Sequence, residues 1–296
     1  MNLNPPLLCV VIPNKNGARH LDYSIPSILA SDYPNIAVAV VDDRSTDDSI
    51  MLLKQKYGKV KVLENTGKKG FAATVNIGVK YAIEQRAEYV AVSNSDIKIP
   101  GWLIASAVDL FLADKNIGVI GFKEILGDSV RSSFPTSPVK AEPLITKNIA
   151  GCFFIVKTSI FLKIGLFDED YFMYGEDNDF FYRVMKGGFS EISTNLPVWH
   201  YGEGASGARS FAPVWLAYRN ALRFSIKNEG FVAALQMGAV LFYHGCLPHF
   251  NSVPANPSLG RLRRYNPAFN CFILLSSILW NLWHLPETIS ARQAYL

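Results

Sequence analysis

The sequence predicts an α/β fold: a mixed, mainly parallel sheet with helices on both faces, followed by apolar C-terminal helices. Three observations predict it. Short runs rich in Val and Ile alternate with amphipathic stretches over the first two hundred residues. Acidic residues stand where several of these runs stop. Across 296 residues, 49% are apolar and only 18% charged, enough for a sizeable core.

The strand-like runs are LLCVVIP (7–13), IAVAVVDD (36–43), VKVLEN (60–65) and YVAVSNSD (89–96), each ending in polar or turn residues. Helical patterns lie between them: SIPSILASD (24–32), DDSIMLLKQKY (47–57) and FAATVNIGVKYAIEQ (71–85). Thr46 or Asp47 can cap the second, and Gly58 can end it. A loop-rich stretch is expected at 121–148, then a strand at GCFFIVK (151–157). In a doubly wound sheet, ligands bind beyond the carboxyl ends of the strands, where Asp42, Asp43 and Asp96 fall. No G-x-G-x-x-G follows the first strand and no G-x-x-x-x-G-K-[ST] occurs, so dinucleotide and P-loop readings lose support.

Two long runs, 231–250 and 266–286, contain no Asp, Glu, Lys or Arg. Each approaches the ~20 residues that span a bilayer. If both spanned, Arg261, Arg263 and Arg264 between them would face away from a cytosolic body, against the positive-inside tendency. Two helices that dip into one leaflet fit better, with ordinary buried helices and a spanning pair as alternatives. Residues 1–200 carry 21 basic against 22 acidic side chains, residues 201–296 eight against three. A basic, apolar tail after a neutral body suits an anionic lipid surface rather than nucleic acid, and no aromatic-basic interleaving of the base-gripping kind is present. The expected division is therefore 1–225, catalytic, and 226–296, membrane-associating. Cys9, Cys152, Cys246 and Cys271 have no metal or disulfide spacing, which points to a reducing compartment. MNLNPPLLCVVIP has no basic n-region and does not read as a signal peptide.

Four stretches can carry chemistry. In VVDDRSTDDS (40–49) a strand ends in Asp42-Asp43 just before a helix, as either a plain capped turn or a nucleotide pocket whose carboxylate accepts a pyrimidine imino N–H. SNSD (93–96) ends an apolar strand as Asn94-x-Asp96, either a turn or a hard-oxygen site for Mg²⁺ or Mn²⁺. His200 in PVWHYGEGASG is a structural histidine or a further ligand beside Asp96. In FMYGEDNDFFYRVMKGG (172–188) an EF-hand fails, because Met173 holds the required glycine position. A helix from near Glu176 fits instead, with acids in its first turn, an apolar stripe of Phe180, Phe181 and Val184, an Asp179–Arg183 pair, and Gly187-Gly188 as the stop.

In order, VVIPNKNG, VDDRSTDDS, NTGKKGFAATVNIG, SNSD, AGCFFIVK, GLFDEDYFMYGEDNDFFYRVMKGG and VWHYGEGASG resemble the inverting glycosyltransferases of family 2, which have the GT-A fold. YRNALRF (218–224) and WNLWHLPETISAR (280–292) resemble the rhamnosyltransferase-like branch. The resemblance covers nearly the whole chain. It implies Asp42 as the pyrimidine reader, Asp96 as the metal acid, His200 as a partner of metal and diphosphate, and Asp177 as the catalytic base. It further implies Gly151 near the donor sugar, with Pro13 and Asn76 lining the nucleotide pocket. The activity implied is transfer of a single sugar from a nucleotide-diphosphate sugar, dTDP-L-rhamnose or otherwise a UDP-sugar, with Mg²⁺ or Mn²⁺. The acceptor would be polyprenyl-linked or a polysaccharide, and the place the cytoplasmic face of the cell membrane, in a peripheral or monotopic manner. Processive relatives carry Q-x-x-R-W, whereas Arg219 here sits in VWLAYRN. A catalytically silent GT-A-like scaffold at the membrane is the rival from another class.

Overall fold

A computed structural model describes residues 5–67, 69–127, 135, 137–144, 149–202, 211–247 and 266–293. The chain divides into two compact units: Met1–Phe172 with Arg183–Ala205, and Met173–Tyr182 with Ser206–Leu296.

The first unit is built on an eight-stranded sheet of order β3-β2-β1-β4-β7-β6-β8-β5. Its strands are β1 (Leu8–Asn14), β2 (Ile36–Asp42), β3 (Lys61–Glu64), β4 (Tyr89–Ser93), β5 (Ile97–Lys98), β6 (Ile117–Leu126), β7 (Phe153–Lys157) and β8 (Ser190–His200). The helices α1 (Ala18–Leu29), α2 (Ser49–Lys56), α3 (Gly70–Glu84), α4 (Leu103–Ala113) and α5 (Thr158–Ile164) connect them. Only β5 and β7 run against the other strands. The carboxyl ends of β1, β2, β4, β6 and β8 therefore share one edge, as the alternation of apolar runs and helices predicts. Fully buried Leu8, Val10, Ile12, Val40 and Ala91 form the centre of the core.

Two local departures from the sequence reading have physical causes. Helix α1 begins at Ala18, well before residue 24, because Asp47 Oδ2 accepts the Ala18 N–H at 3.0 Å from 29 positions away. The same carboxylate caps α2, since its Oδ1 accepts from the Ser49 N–H at 3.1 Å. Residues 121–126, read as loop, instead complete the ten-residue strand β6, paired in parallel with β8. Most of the expected loop beyond Gly127 lies outside the described residues. At the head of α3, Gly70 has φ +77°, and a Cβ there would fall 2.5 Å from the Phe172 ring. Only glycine meets both demands.

Helix α6 (Glu176–Lys186) starts where the acidic first turn predicts. Its Arg183 donates to the carbonyls of Ile164 and Leu166 at 2.9 and 2.8 Å, within the first unit. The second unit holds α7 (Phe211–Phe224), a π-helical turn at Ser225–Glu229, α8 (Phe231–Cys246), α9 (Pro267–Trp283) and α10 (Leu285–Gln293). Val214, Tyr218, Leu222, Leu241 and Ile273 form its core. Fully buried Asp179 and Lys227 pair there at 2.8 Å, and Asn228 donates to the same carboxylate at 2.9 Å. Breaking a buried charge pair of this kind is strongly destabilising.

Among the described residues no single helix is long and apolar enough to cross a membrane. The bent pair Pro267–Trp283 and Leu285–Arg292, with 65° between them, reaches that length and apolarity only together. Arg261, Arg263 and Arg264 lie outside the described residues.

Candidate active site

Parallel register sets Asn14 opposite Asp42 at the ends of β1 and β2. Asp42 is buried and held by three donors: Asn14 Nδ2 at 2.9 Å, the Ser45 N–H at 2.8 Å and Ser45 Oγ at 2.5 Å. A carboxylate has about four acceptor positions, so one stays open for a ligand N–H. The neighbouring Asp43 caps α3, accepting from the Lys69 and Gly70 N–H groups at 2.7 and 3.2 Å and from Asn65 Nδ2 at 3.1 Å. Adjacent acids that look equivalent in sequence thus do different work. Half-buried Pro13 precedes Asn14 on β1, beside Val41. Asn76 is buried on α3 and bonds chiefly elsewhere: its Nδ2 donates to the Phe167 carbonyl at 2.9 Å and Glu169 Oε1 at 3.0 Å, and its Oδ1 accepts from the Phe167 N–H at 3.0 Å.

Farther along the same edge, Asp96 Oδ1 lies 3.1 Å from His200 Nε2, and Asn94 Nδ2 is 3.3 Å from that nitrogen. His200 closes β8, in register with Ile97 of β5 and Leu126 of β6. Its other ring nitrogen bonds to Glu124 Oε1. One ligand atom from each of Glu124, Cys152 and His200 lies within 4.8 Å of the others. Burial alone would disfavour the imidazolium, but hydrogen bonds and charge from Asp96 and Glu124 outweigh it, and His200 is pushed up to about 9. Burial likewise opposes ionised Asp96, yet His200 holds it below the ordinary carboxylate range. The Cys152 thiol is pushed up by burial and by the charges of Glu124 and Asp96.

These residues fit a divalent cation. Asp96 is 3% exposed and its Oδ2 is buried with no hydrogen-bond partner, a hard oxygen in want of a charge. His200 can supply nitrogen through Nε2 once that atom gives up its proton. Half-buried Gly151 precedes Cys152, whose carbonyl accepts from the Asn94 N–H at 2.8 Å and so anchors the Asn94-Asp96 turn.

In the second unit, Tyr174 (φ +71°) and Gly175 (φ +89°) turn left-handed immediately before α6. Glu176 is 6% exposed, and its Oε2 is buried without a partner. Half-buried Asp177 accepts from the Asn178 N–H at 2.8 Å. Burial raises Glu176 to about 8, with the Asp177 charge adding to the shift. Burial also raises Asp177, outweighing backbone N–H donation at the helix start. A helix start by itself favours the ionised carboxyl; desolvation dominates here instead.

The family model described as Glycosyl transferase family 2 matches residues 9–174. The chain belongs to this family. It is 28% identical over 200 residues to an uncharacterized glycosyltransferase of Rickettsia prowazekii, covering 62% of this chain and 60% of the relative. The match thus spans less than two thirds of that relative's length. Among solved structures, the mannosyltransferase PcManGT from Pyrobaculum calidifontis, in complex with GDP-Man and Mn²⁺, superposes with a TM-score of 0.58 at 14% identity, over 99% of this chain and 86% of that one. S. aureus TarS 1-349 in complex with UDP-GlcNAc gives 0.56 at 17% identity, over 98% and 90%. At these identities the structures establish the fold, the GT-A architecture, for this family 2 chain.

Sequence reasoning on the family 2 motifs missed Glu124, Cys152, Asn14 and Ser45. Glu124 lies in the part of β6 taken for loop, though K-E-I-L carries the polar-apolar mix of an edge. Cys152 read as one more cysteine in an apolar run, since β7 and β8 bring it to His200 from 48 positions away.

Proposed function

We propose that this family 2 chain is an inverting glycosyltransferase that moves one sugar from a nucleoside-diphosphate donor to a lipid-linked or polysaccharide acceptor. The observation that carries the reading is the pairing of Asp96 and His200 at the sheet edge, with a buried carboxylate oxygen lacking a partner. Asp42, near Pro13, would accept from the pyrimidine ring. Asp96 and His200 would hold Mg²⁺ or Mn²⁺, and Gly151 would lie near the donor sugar. The ion, when bound, neutralises charge on the departing diphosphate.

Asp177 is the base in this reading. As the acceptor oxygen bonds to the anomeric carbon, the bond from that carbon to the diphosphate oxygen breaks and its electron pair leaves with the diphosphate. The hydroxyl proton passes to the Asp177 carboxylate. A raised carboxylate takes this proton more readily, provided it starts ionised. For the donor we favour dTDP-L-rhamnose, from the likeness of YRNALRF, with UDP-sugars next.

We place the enzyme on the cytoplasmic face of the membrane, bound through residues 226–296. The support is the inverted patterning of α9. It buries Asn270, Ser277 and Asn281 while exposing Phe272, Leu275, Leu279 and Leu282. A helix in water shows the opposite arrangement, whereas one facing lipid turns its polar side chains inward.

The test is turnover of UDP-GlcNAc, GDP-mannose and dTDP-L-rhamnose with Mn²⁺, measured as nucleoside diphosphate release. Asp177→Asn should lower turnover roughly 10²–10⁴-fold, as for general bases, with donor affinity little changed. Near-normal turnover would refute the base assignment, and no turnover of any donor by the unaltered chain favours the silent scaffold.

A further inference from the structure

The motif YRNALRF has so far entered only as a likeness, yet its Asn220 bonds directly to the chain leading into Glu176-Asp177. On α7, Asn220 is 3% exposed, and its Nδ2 donates to the Met173 and Tyr174 carbonyls at 2.8 and 2.6 Å. Those carbonyls border the left-handed pair Tyr174-Gly175, and the Gly175 carbonyl accepts from the Asp179 N–H at 3.0 Å. A tyrosine seldom adopts positive φ, so something must hold this backbone. The amide that holds it is itself held. Asn220 Oδ1 accepts from Arg219 Nε at 2.7 Å, which fixes which end of the amide faces the carbonyls. The Arg219 guanidinium lies 4.3 Å from the Trp280 ring centre and 5.2 Å from that of Trp215. Asn281 Nδ2 donates to the Arg219 carbonyl at 2.9 Å.

We propose that Asn220, locked by Arg219, is the positioning residue for the Asp177 base: it pins the turn that aims the first residues of α6. This rests on the reading of Asp177 as base. A base beside the buried Glu176 carboxyl needs a defined direction, because a base displaced by an ångström loses much of its rate. Neither residue touches substrate in this account, and both act through the backbone of 173–175.

Two measurements test it. In the nucleoside diphosphate release assay, Asn220→Ala should lower kcat about 10–100-fold with KM for the nucleotide sugar little changed. In the Asp177→Asn background the same change should lower kcat less than twofold, because a positioning effect vanishes with the group positioned. An equal loss in both backgrounds overturns the proposal. Independently, hydrogen exchange of peptides covering 173–182 should accelerate at least tenfold in Asn220→Ala while peptides of α9 keep their protection; unchanged exchange also overturns it. Should Asn220→Ala fail to fold, Arg219→Lys keeps the charge but removes the Nε donor, and the same two outcomes apply in smaller measure. If Asp177→Asn retains full turnover, the base reading itself fails, and the exchange experiment still judges the clamp.

Discussion

Glu176→Gln should make the protein more stable at neutral pH, and the gain can be worked from the site. Glu176 is 6% exposed, its Oε2 has no hydrogen-bond partner, and burial, with the Asp177 charge, raises it to about 8. The unfolded chain ionises the same group near the ordinary value of about 4.5. The folded state therefore keeps a proton that the unfolded state releases. Stability from this group is fully present below about 4.5, falls as pH rises, and is gone once pH passes about 8. At pH 7 some 2.5 pH units lie above the unfolded value, and at ~1.36 kcal/mol per unit the loss is about 3 kcal/mol. Glutamine has nearly the shape of the protonated acid and loses nothing with pH. At roughly 2–4 °C per kcal/mol for a chain of this size class, Glu176→Gln should melt roughly 6–12 °C higher at pH 7, with near-equality at pH 4.5. Asp177 shifts in the same direction and remains in both proteins, so the informative quantity is the difference between the two melting curves from pH 4.5 to 8. Parallel curves, or a variant less stable at pH 7, would refute the account of Glu176 as a buried, uncompensated carboxyl.

The other predictions concern the cation and the membrane. Glu124→Ala should weaken Mn²⁺ binding roughly 10–100-fold by calorimetry, because Glu124 fixes the ring of His200 from its far nitrogen, and binding within twofold of the unaltered protein would exclude that role. On vesicles of phosphatidylcholine with phosphatidylglycerol, the chain should float, and the triple change Leu275→Asp, Leu279→Asp, Leu282→Asp should abolish flotation. Each leucine contributes on the order of 1.5–3 kcal/mol when buried in lipid, so equal flotation of both proteins would remove α9 as the contact.

Most of the sheet was legible because its signals are local. Val- and Ile-rich runs ending in Asp42 or Asp96 place the strand ends within a residue or three, and the acids beyond them follow. What escaped depends on pairing across the chain. Asp47 starts α1 from the next turn but one of the sheet, and no local pattern shows that bond. Glu124 and Cys152 meet His200 only because β6, β7 and β8 fold together. Asn76, a pocket residue by resemblance, has its amide committed to Phe167 and Glu169, since it points toward the segment after α5. The sign of the Asp177 shift was out of reach for a related reason: sequence shows the helix start, but not how far the carboxyl is withdrawn from water.

On the reading proposed above, the second unit would bring a lipid contact and the support of the Asp177 turn onto a few helices. One side of α9 contributes Trp280 and Asn281 to the Arg219 lock, and through Asn220 that lock reaches the turn before Asp177. The side with Leu275, Leu279 and Leu282 is apolar and exposed, the face we assign to lipid. On that assignment α9 would give a lipid-carried acceptor and the proposed base a common support. The polar stripe Asn270, Ser277 and Asn281 is then not a defect in an apolar helix. Asn270 bonds to the Gly245 carbonyl at 2.7 Å and Asn281 to that of Arg219, so the stripe fixes α9 against α8 and α7. Changing Asn281 to leucine would therefore leave the lipid face intact while loosening the lock, which separates membrane binding from positioning of the base in a single substitution.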